Sequence, residues 1–131
     1  MSLYCLVGWC VWAILLVSGI AVARTAQVLM GKKKSNEFPS GIQHGSDLYW
    51  RLNRAHVNAV ENLPIFAALI LVAHLAHVEV ALLAEVALGA RLVQSLVHIS
   101  SNHVLAVNLR FTAFVTQACC FMTMAFKLLV R

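Results

Sequence analysis

The most polar segment of this chain leads directly into one of its most apolar segments. Residues 51–66 read RLNRAHVNAVENLPIF, and AALILVAHLAHV follows. At about 100° per residue on an α-helix, four of these polar residues fall on one stripe: Arg51, Arg54, Asn58 and Glu61. Guanidinium, amide and carboxylate groups on one stripe can hold an ionic ligand. The alternative is a structural salt bridge between Glu61 and one arginine.

The other predicted helices carry polar residues at matching positions. Arg91, Gln94 and His98 are spaced i, i+3 and i+7, and they therefore share one helix face. Arg24 lies near the end of the first predicted helix and Arg110 near the start of the last. We expect four arginines, one from each helix, to converge at similar depth: Arg24, Arg54, Arg91 and Arg110.

Only one carboxylate, that of Glu61, is expected at this depth to balance the four cations. A buried guanidinium without a partner costs on the order of several kcal/mol. The imbalance predicts a negatively charged ligand, either a small polyanion or a lipid headgroup that enters from the cytoplasm. The alternative is that the arginine side chains extend to water or to lipid phosphates at the membrane surface.

Composition indicates a membrane protein. The 131 residues are 61% hydrophobic and 11% charged, with a mean hydropathy of +0.82, whereas a soluble domain has roughly 25% charged residues. The run from Leu3 to Ala23 has no Asp, Glu, Lys, Arg or His. At about 1.5 Å per residue, a helix of that length crosses a hydrocarbon core of roughly 30 Å. A cleaved signal peptide fits less well because MSLYC carries no Lys or Arg.

The pattern predicts an all-α fold: a single domain, residues 1–131, that forms an integral membrane four-helix bundle with left-handed up-down topology. Helices are expected at about residues 3–30, 47–77, 79–101 and 105–129. Gly31 should end the first helix, and Ser46 should cap the second, with Asp47 in its first turn. Pro64 is expected to kink the second helix without ending it.

Basic residues predict the orientation. Lys127 and Arg131 fall toward one end of the bundle, and the others fall toward the opposite end: Arg24, Lys32, Lys33, Lys34, Arg51, Arg54, Arg91 and Arg110. By the positive-inside rule the more basic end, which holds the candidate site, faces the cytoplasm, and both termini lie outside. Brief loops without a targeting signal suit a bacterial inner membrane, and an organelle membrane is the alternative.

Other chemistries are not indicated. The basic residues form no stripe with interleaved aromatics, so no nucleic-acid partner is expected. The four cysteines lie in apolar segments, where cysteine serves as a small hydrophobic side chain. His74 and His77 are a weak ligand pair and no metal site is expected. Neither a phosphate-binding glycine loop nor a nucleophile elbow occurs.

The segment RAHVNAVENLP resembles the signature of the MAPEG family, the membrane-associated proteins in eicosanoid and glutathione metabolism. It matches the family's R-A-[HQ]-x-N-x-x-E pattern and the proline that follows, at these positions: Arg54, Ala55, His56, Asn58, Glu61 and Pro64. The segment ARLVQSLVHI, led by Arg91, is similar to the family's helix-three pattern. The four-span layout extends the resemblance over essentially the whole chain.

The resemblance implies a homotrimer that binds glutathione, as cosubstrate, between neighbouring subunits at the cytoplasmic end. Arg24 would extend into the site from the adjacent subunit. Arg110 is similar to the arginine that stabilises the glutathione thiolate, which makes it the catalytic candidate. The residues that would bind glutathione are Arg24, Arg54, Asn58, Glu61, Arg91, Gln94 and His98.

The sequence departs from the family pattern on the third and fourth helices. Many glutathione-using members carry a tyrosine at the position of His98 and a tyrosine or histidine near Gln94. Phe111 and Phe114 stand where the prostaglandin E synthase branch has hydroxyl residues, so that isomerase activity is not expected. The segment between His98 and Arg110 is longer than in the best-known members.

The expected function is that of a membrane-bound glutathione transferase or peroxidase-like protein. Its second substrate would be a lipophilic electrophile or a lipid hydroperoxide that reaches the site from the surrounding membrane lipids. The alternative is a non-enzymatic lipid-binding scaffold of the same fold. A third interpretation is that the arginines bind a phospholipid that stabilises the trimer.

Overall fold

Four α-helices account for nearly all regular structure in the protein. The structure is a computed structural model that describes residues 1–130, and Arg131 lies outside the described residues. The helices are α1 (Ser2–Leu29), α2 (Asp47–Leu75), α3 (Ala81–Ser100) and α4 (Val104–Leu129). Each is long and apolar enough to cross a membrane. The prediction of an all-α chain with four candidate spans is therefore confirmed.

The ends of the long first connection follow the predicted capping residues. Gly31 has φ +66°, and the N–H groups of Gly31 and Lys32 donate to the carbonyls of Val28 and Gln27 at 3.0 and 2.9 Å. This is a Schellman ending, in which a left-handed residue lets the chain turn back on the last helical carbonyls. At the start of α2, the Ser46 hydroxyl accepts a hydrogen bond from the N–H of Tyr49 at 3.2 Å.

The boundary between α2 and α3 differs from the predicted one by two residues on each side. Helix α2 ends at Leu75 because His77 adopts φ +56° and the N–H of Val78 donates to the Ala73 carbonyl at 2.9 Å. Helix α3 begins at Ala81 rather than Glu79, since the Glu79 carboxylate lies ahead of the helix and accepts the N–H of Ala81 at 2.8 Å. Both changes satisfy backbone groups that a helix end leaves free.

Proline does not interrupt the second helix. Pro64 lies inside α2, which continues without a break from Asp47 to Leu75. A proline at this position removes one backbone donor, and in a membrane bundle the packing of neighbouring helices keeps such a helix intact. Helix α2 therefore carries the polar residues of its first half and the apolar residues of its second half on one continuous helix.

Aromatic side chains form the centre of the hydrophobic core. The rings of Trp9 and Phe66 lie 4.7 Å apart, and the ring of Phe121 lies 5.8 Å from that of Phe66. Fully buried alanines surround them and let the helix backbones approach closely: Ala59, Ala73, Ala84 and Ala87. This core fixes the relative positions of all four helices.

The helices are not equivalent in their packing. The backbone of α1 packs on α2 and α3, and that of α4 packs on α3 and α2. Helices α1 and α4 meet through side chains, with the rings of Trp9 and Phe121 6.2 Å apart. The outer surface is apolar, with exposed side chains such as Leu82, Met122 and Phe126. Such a surface suits contact with lipid tails or with other subunits.

The left-handed conformation of His77 gives a stability test. A non-glycine residue in this conformation costs roughly 1–2 kcal/mol that glycine does not. Glycine loses more backbone entropy on folding, and this loss offsets part of the difference. His77→Gly should therefore raise the free energy of unfolding by about 0.5 kcal/mol, measured as an increase in Tm by circular dichroism in detergent.

The matched control is His74→Gly, which places glycine inside the last turn of α2. Its expected effect has the opposite sign, a loss of about 1 kcal/mol. Equal effects of the two substitutions would contradict the assigned helix ending.

Candidate functional site

A groove between α2, α3 and α4 collects most of the predicted site residues. It has a volume of about 440 Å³, within the roughly 300–1,000 Å³ of pockets that hold small ligands. Its lining consists of Arg54, Asn58, Gln94, His98, Val107, Arg110, Phe111 and Phe114. The structure thus brings together five of the predicted site residues in one place.

Helical spacing explains how each element contributes to this groove. Each of the three helices contributes at least one pair of lining residues four positions apart, which lie on the same helix face: Arg54 and Asn58 on α2, Gln94 and His98 on α3, and Arg110 and Phe114 on α4. The helices converge so that these three faces border one space. Two guanidinium groups line it and no carboxylate does, so the groove has a positive potential.

Gln94 is the most buried polar residue of the groove. Only 8% of its surface is exposed, and its side-chain carbonyl oxygen Oε1 has no hydrogen-bond partner. A buried acceptor without a donor costs about 1–3 kcal/mol. A ligand with an N–H or O–H group in this groove would remove that cost.

Two residues of the predicted α2 stripe do not line the groove. The Nε of Arg51 donates to the backbone carbonyl of Ile99 at 2.9 Å, which ties the start of α2 to the end of α3. Glu61 is exposed, and it lies less than one helical turn beyond Asn58. Its carboxylate is therefore accessible from outside the chain.

Arg91 lies in the interior of the helical bundle rather than on the groove lining. Its side chain is fully buried, and its guanidinium carbon stands 5.0 Å from the centre of the Trp9 ring. None of its three guanidinium nitrogens has a hydrogen-bond partner among residues 1–130. Trp9 is itself fixed, because its indole N–H donates to the Ala59 carbonyl at 3.0 Å. The expected convergence of four arginines on one space therefore does not include Arg91.

Arg24 borders a neighbouring cavity instead of the groove. Its Nε donates to the Tyr49 hydroxyl at 2.7 Å, and its guanidinium carbon lies 5.2 Å from the centre of the Phe38 ring. Arg24 and Arg54 line one small cavity together. Arg54 thus stands between two cationic spaces, with Arg24 on one side and Arg110 on the other.

A second, apolar groove runs along α4. Its volume is about 510 Å³, and its lining consists of Leu83, Phe111, Thr112, Val115, Thr116, Cys119, Cys120 and Thr123. The three threonine hydroxyls donate to carbonyls four residues earlier at 2.8–3.0 Å, which leaves their methyl groups to define the groove. Phe111 lines both grooves, so the polar and apolar spaces adjoin.

Metal and disulfide chemistry find no support in the described part of the chain. Within residues 1–130, no group of three His, Cys, Asp or Glu side chains could hold a metal ion. All four cysteines are free, and Cys5 and Cys120 are buried in the core.

Comparison with known protein families decides the family of this chain. The model of the MAPEG family matches residues 2–130, nearly the whole chain. The chain belongs to the MAPEG family. No curated protein and no solved structure matches it. With its four candidate spans, this MAPEG member is an integral, multi-pass membrane protein.

The roles of three residues near the site were not identified from the sequence of this MAPEG protein, although Phe111 was named as a departure from the family pattern. Trp9 supports Arg91, Tyr49 binds Arg24, and Phe111 joins the two grooves. Trp9 and Tyr49 each contact a partner more than 20 residues away along the chain, and Phe111 contributes to a surface shared by two helices. Helical periodicity gives no signal for such contacts, although the spacing of Cys5, Trp9 and Ala13 at four residues does indicate a buried face.

Trp9 provides a test of the Arg91 arrangement. Trp9→Phe removes the indole donor to the Ala59 carbonyl and weakens the cation–π contact, so we expect a loss of about 1–2 kcal/mol in the free energy of unfolding. Trp12→Phe is the control, because the indole nitrogen of Trp12 is buried without a partner. The measurement is thermal unfolding of both variants in the same detergent, and equal losses would contradict the assigned role of Trp9.

Proposed function

We propose that this MAPEG protein is a membrane-bound glutathione transferase or peroxidase-like enzyme. The observation that supports this function best is the groove that Arg54, Asn58, Gln94, His98 and Arg110 line. Family membership favours glutathione as the ligand, and the charges of the groove suit that tripeptide. We propose the enzymatic activity, its substrates and the number of subunits together.

The charges of glutathione match those of the residues around the groove. Glutathione carries two carboxylates and one ammonium group. Guanidinium groups bind carboxylates through paired hydrogen bonds, and Arg54 and Arg110 both face the groove. Glu61 lies exposed beyond Asn58, and we assign it the ammonium group. The amides of Asn58 and Gln94 would bind the peptide backbone.

Arg110 is the proposed catalytic residue. A thiol near pKa ~8.5 is mostly protonated at neutral pH, and a nearby guanidinium stabilises the reactive thiolate. Arg110 lies one residue before Phe111, which lines both grooves. A thiolate beside Arg110 would therefore lie next to the space through which an apolar substrate arrives.

The apolar groove along α4 is the proposed site of the second substrate. It is lined by aliphatic, aromatic and threonine methyl groups, which suit a lipophilic electrophile or a lipid hydroperoxide. A substrate of this kind partitions into the bilayer, so the membrane concentrates it beside the groove. In conjugation, the thiolate sulfur would form a bond to the electrophilic carbon as the bond to a leaving group such as halide breaks. In peroxidase turnover, two glutathione molecules would be oxidised to glutathione disulfide while one hydroperoxide is reduced to an alcohol and water.

We further propose that the active unit is a homotrimer in which the groove lies at a subunit border. The exposure of Glu61 and the apolar outer surface of the bundle support self-association. A neighbouring subunit would cover the groove and supply further contacts, including those of its α1. By the positive-inside rule, the groove end would face the cytoplasm, in a bacterial inner membrane.

A non-enzymatic lipid-binding scaffold is the second candidate. His98 and Gln94 occupy positions where many glutathione-using relatives are expected to carry tyrosine or histidine, and the apolar groove is the larger of the two grooves. A scaffold would bind lipid in that groove without activating a thiol. Thiolate formation distinguishes the two functions directly.

The thiolate test compares two substitutions in detergent-purified protein with added glutathione. Arg110→Ala should abolish the ultraviolet difference signal of the thiolate and lower turnover of a chromogenic aryl halide about 10²-fold, because the stabilising charge is lost. Glu61→Gln should instead weaken glutathione binding about tenfold, because the ammonium loses its partner.

Lys127→Gln is the control for these charge changes, since Lys127 lies at the other end of α4, bound to the Glu79 carbonyl. Thiolate and turnover in wild-type protein support the enzyme. Glutathione binding without thiolate supports the scaffold, and a wild-type protein that binds no glutathione rules out the enzyme.

The apolar groove is tested by filling it. Thr116→Trp places an indole in the groove and should lower kcat/KM for a lipophilic electrophile at least about tenfold, while the thiolate signal stays at the wild-type level. Met122→Trp is the control, because Met122 is exposed on α4 outside the groove lining. Equal losses of activity in the two variants would exclude this groove as the second-substrate site.

A further inference from the structure

A small cavity lies beneath the connection between α1 and α2. Its volume is about 130 Å³, well below the roughly 300–1,000 Å³ of pockets for larger ligands. The connecting segment covers it from one side, and α1 and α2 form the other walls. Its lining consists of Arg24, Pro39, Ser40, Gly41, His44, Trp50, Asn53, Arg54 and Val57.

The charges around this cavity are unbalanced. Arg24 and Arg54 both line it, and no carboxylate does. Two guanidinium groups that line one small space repel each other, and the exposure of Arg54 lets water screen part of that repulsion. An oxyanion between them would convert the repulsion into two charge-assisted interactions.

Arg24 is held in place by two aromatic residues. Its Nε donates to the hydroxyl of Tyr49, which is only 3% exposed, and its guanidinium stacks on Phe38. The hydrogen bond uses Nε, so both terminal Nη groups remain available to a ligand. A cation held this way has already lost its side-chain freedom, and binding an anion does not cost that entropy again.

The same tyrosine anchors the segment that covers the cavity. The ring of His44 packs edge-on against Tyr49 at 5.2 Å and against Phe38 at 6.2 Å. Gly45 has φ +76°, and a side chain there would begin 3.2 Å from the Tyr49 ring. The cover and Arg24 are therefore fixed by one packed unit of Phe38, His44 and Tyr49.

We propose that this cavity is a binding site for a single phosphate group, separate from the glutathione groove and in contact with it through Arg54. Arg24 and Arg54 bind the oxyanion, and Tyr49 is a positioning residue that orients Arg24. The site goes beyond the proposed function, because it requires neither glutathione nor catalysis.

Two sources could supply the phosphate group: a free phosphate from the aqueous phase or the headgroup of an anionic lipid. A further opening of about 300 Å³ at Arg24 is lined by Val28, Leu29 and Phe38, where an acyl chain could lie. The adjacent residues Lys32, Lys33 and Lys34 attract anionic lipids to this end of the bundle. Both sources use the same arginines, and they are separated by experiment.

The test uses full-length protein in neutral detergent, free of phosphate and of added anionic lipid. Isothermal titration calorimetry with inorganic phosphate should show saturable binding of one ion per chain. Arg24→Gln should weaken this binding at least about tenfold and Tyr49→Phe several-fold, because the second loses only the hydroxyl that orients Arg24. Arg24→Lys should recover part of the affinity, which a purely structural role would not explain.

The lipid source is tested in parallel. If a lipid headgroup is the natural occupant, phosphatidylglycerol added to the detergent should compete with phosphate for binding to wild-type protein. In the Arg24→Gln variant, phosphatidylglycerol should bind no better than phosphatidylcholine. Without competition, the free ion is the occupant. Size-exclusion profiles and Tm values confirm that each variant is folded, and Lys127→Gln serves as the charge control.

Three results would overturn the proposal. The first is that wild-type protein binds neither phosphate nor phosphatidylglycerol saturably. The second is that Arg24→Gln leaves phosphate binding unchanged. The third is that Arg110→Ala, in the groove, weakens phosphate binding as much as Arg24→Gln. A protein that fails to bind glutathione but binds phosphate through Arg24 would refute the proposed function and leave this site intact.

Discussion

A guanidinium charge inside an apolar helical bundle must find an electron-rich partner, and this constraint shapes the polar half of the protein. The structure satisfies it in several different ways. Arg91 lies against the face of Trp9, Arg51 donates to the Ile99 carbonyl, and Arg24 donates to the Tyr49 hydroxyl. Arg54 and Arg110 instead face open grooves. An anion from outside the chain can therefore reach them, whereas the guanidinium of the buried Arg91 has no hydrogen-bond partner among residues 1–130.

The aromatic and alanine core makes these arrangements possible. Trp9, Phe66 and Phe121 hold the helices in one arrangement, and buried alanines let the backbones approach. Because the core is rigid, residues four apart on three helices face one another across the groove. The apolar groove adjoins it at Phe111, which lines both grooves, so a peptide thiol and a membrane-derived substrate would meet at Phe111.

Much of the fold could be predicted from the sequence, because the helix positions depend on residues that are close together along the chain. The four spans come from apolar length, and the ends at Gly31 and Ser46 come from residue types with a known backbone or side-chain role. The end of α2 was harder to predict, since histidine rarely adopts the left-handed conformation found at His77. The start of α3 shifted for a related reason, because Glu79 accepts a backbone hydrogen bond instead of joining the helix.

The sequence by itself determined that the chain spans a membrane, which residues share a helix face, and that the arginines outnumber the available carboxylates. Helical spacing sets the direction of a side chain around its own axis. It does not set which neighbouring helix lies in that direction. Only the tertiary structure decided that Gln94 and His98 face Arg54 and Arg110 across a groove, while Arg91, less than one turn away, is enclosed against Trp9. The physical reason is that packing of α1 on α3 closes one side of α3 and leaves the other open.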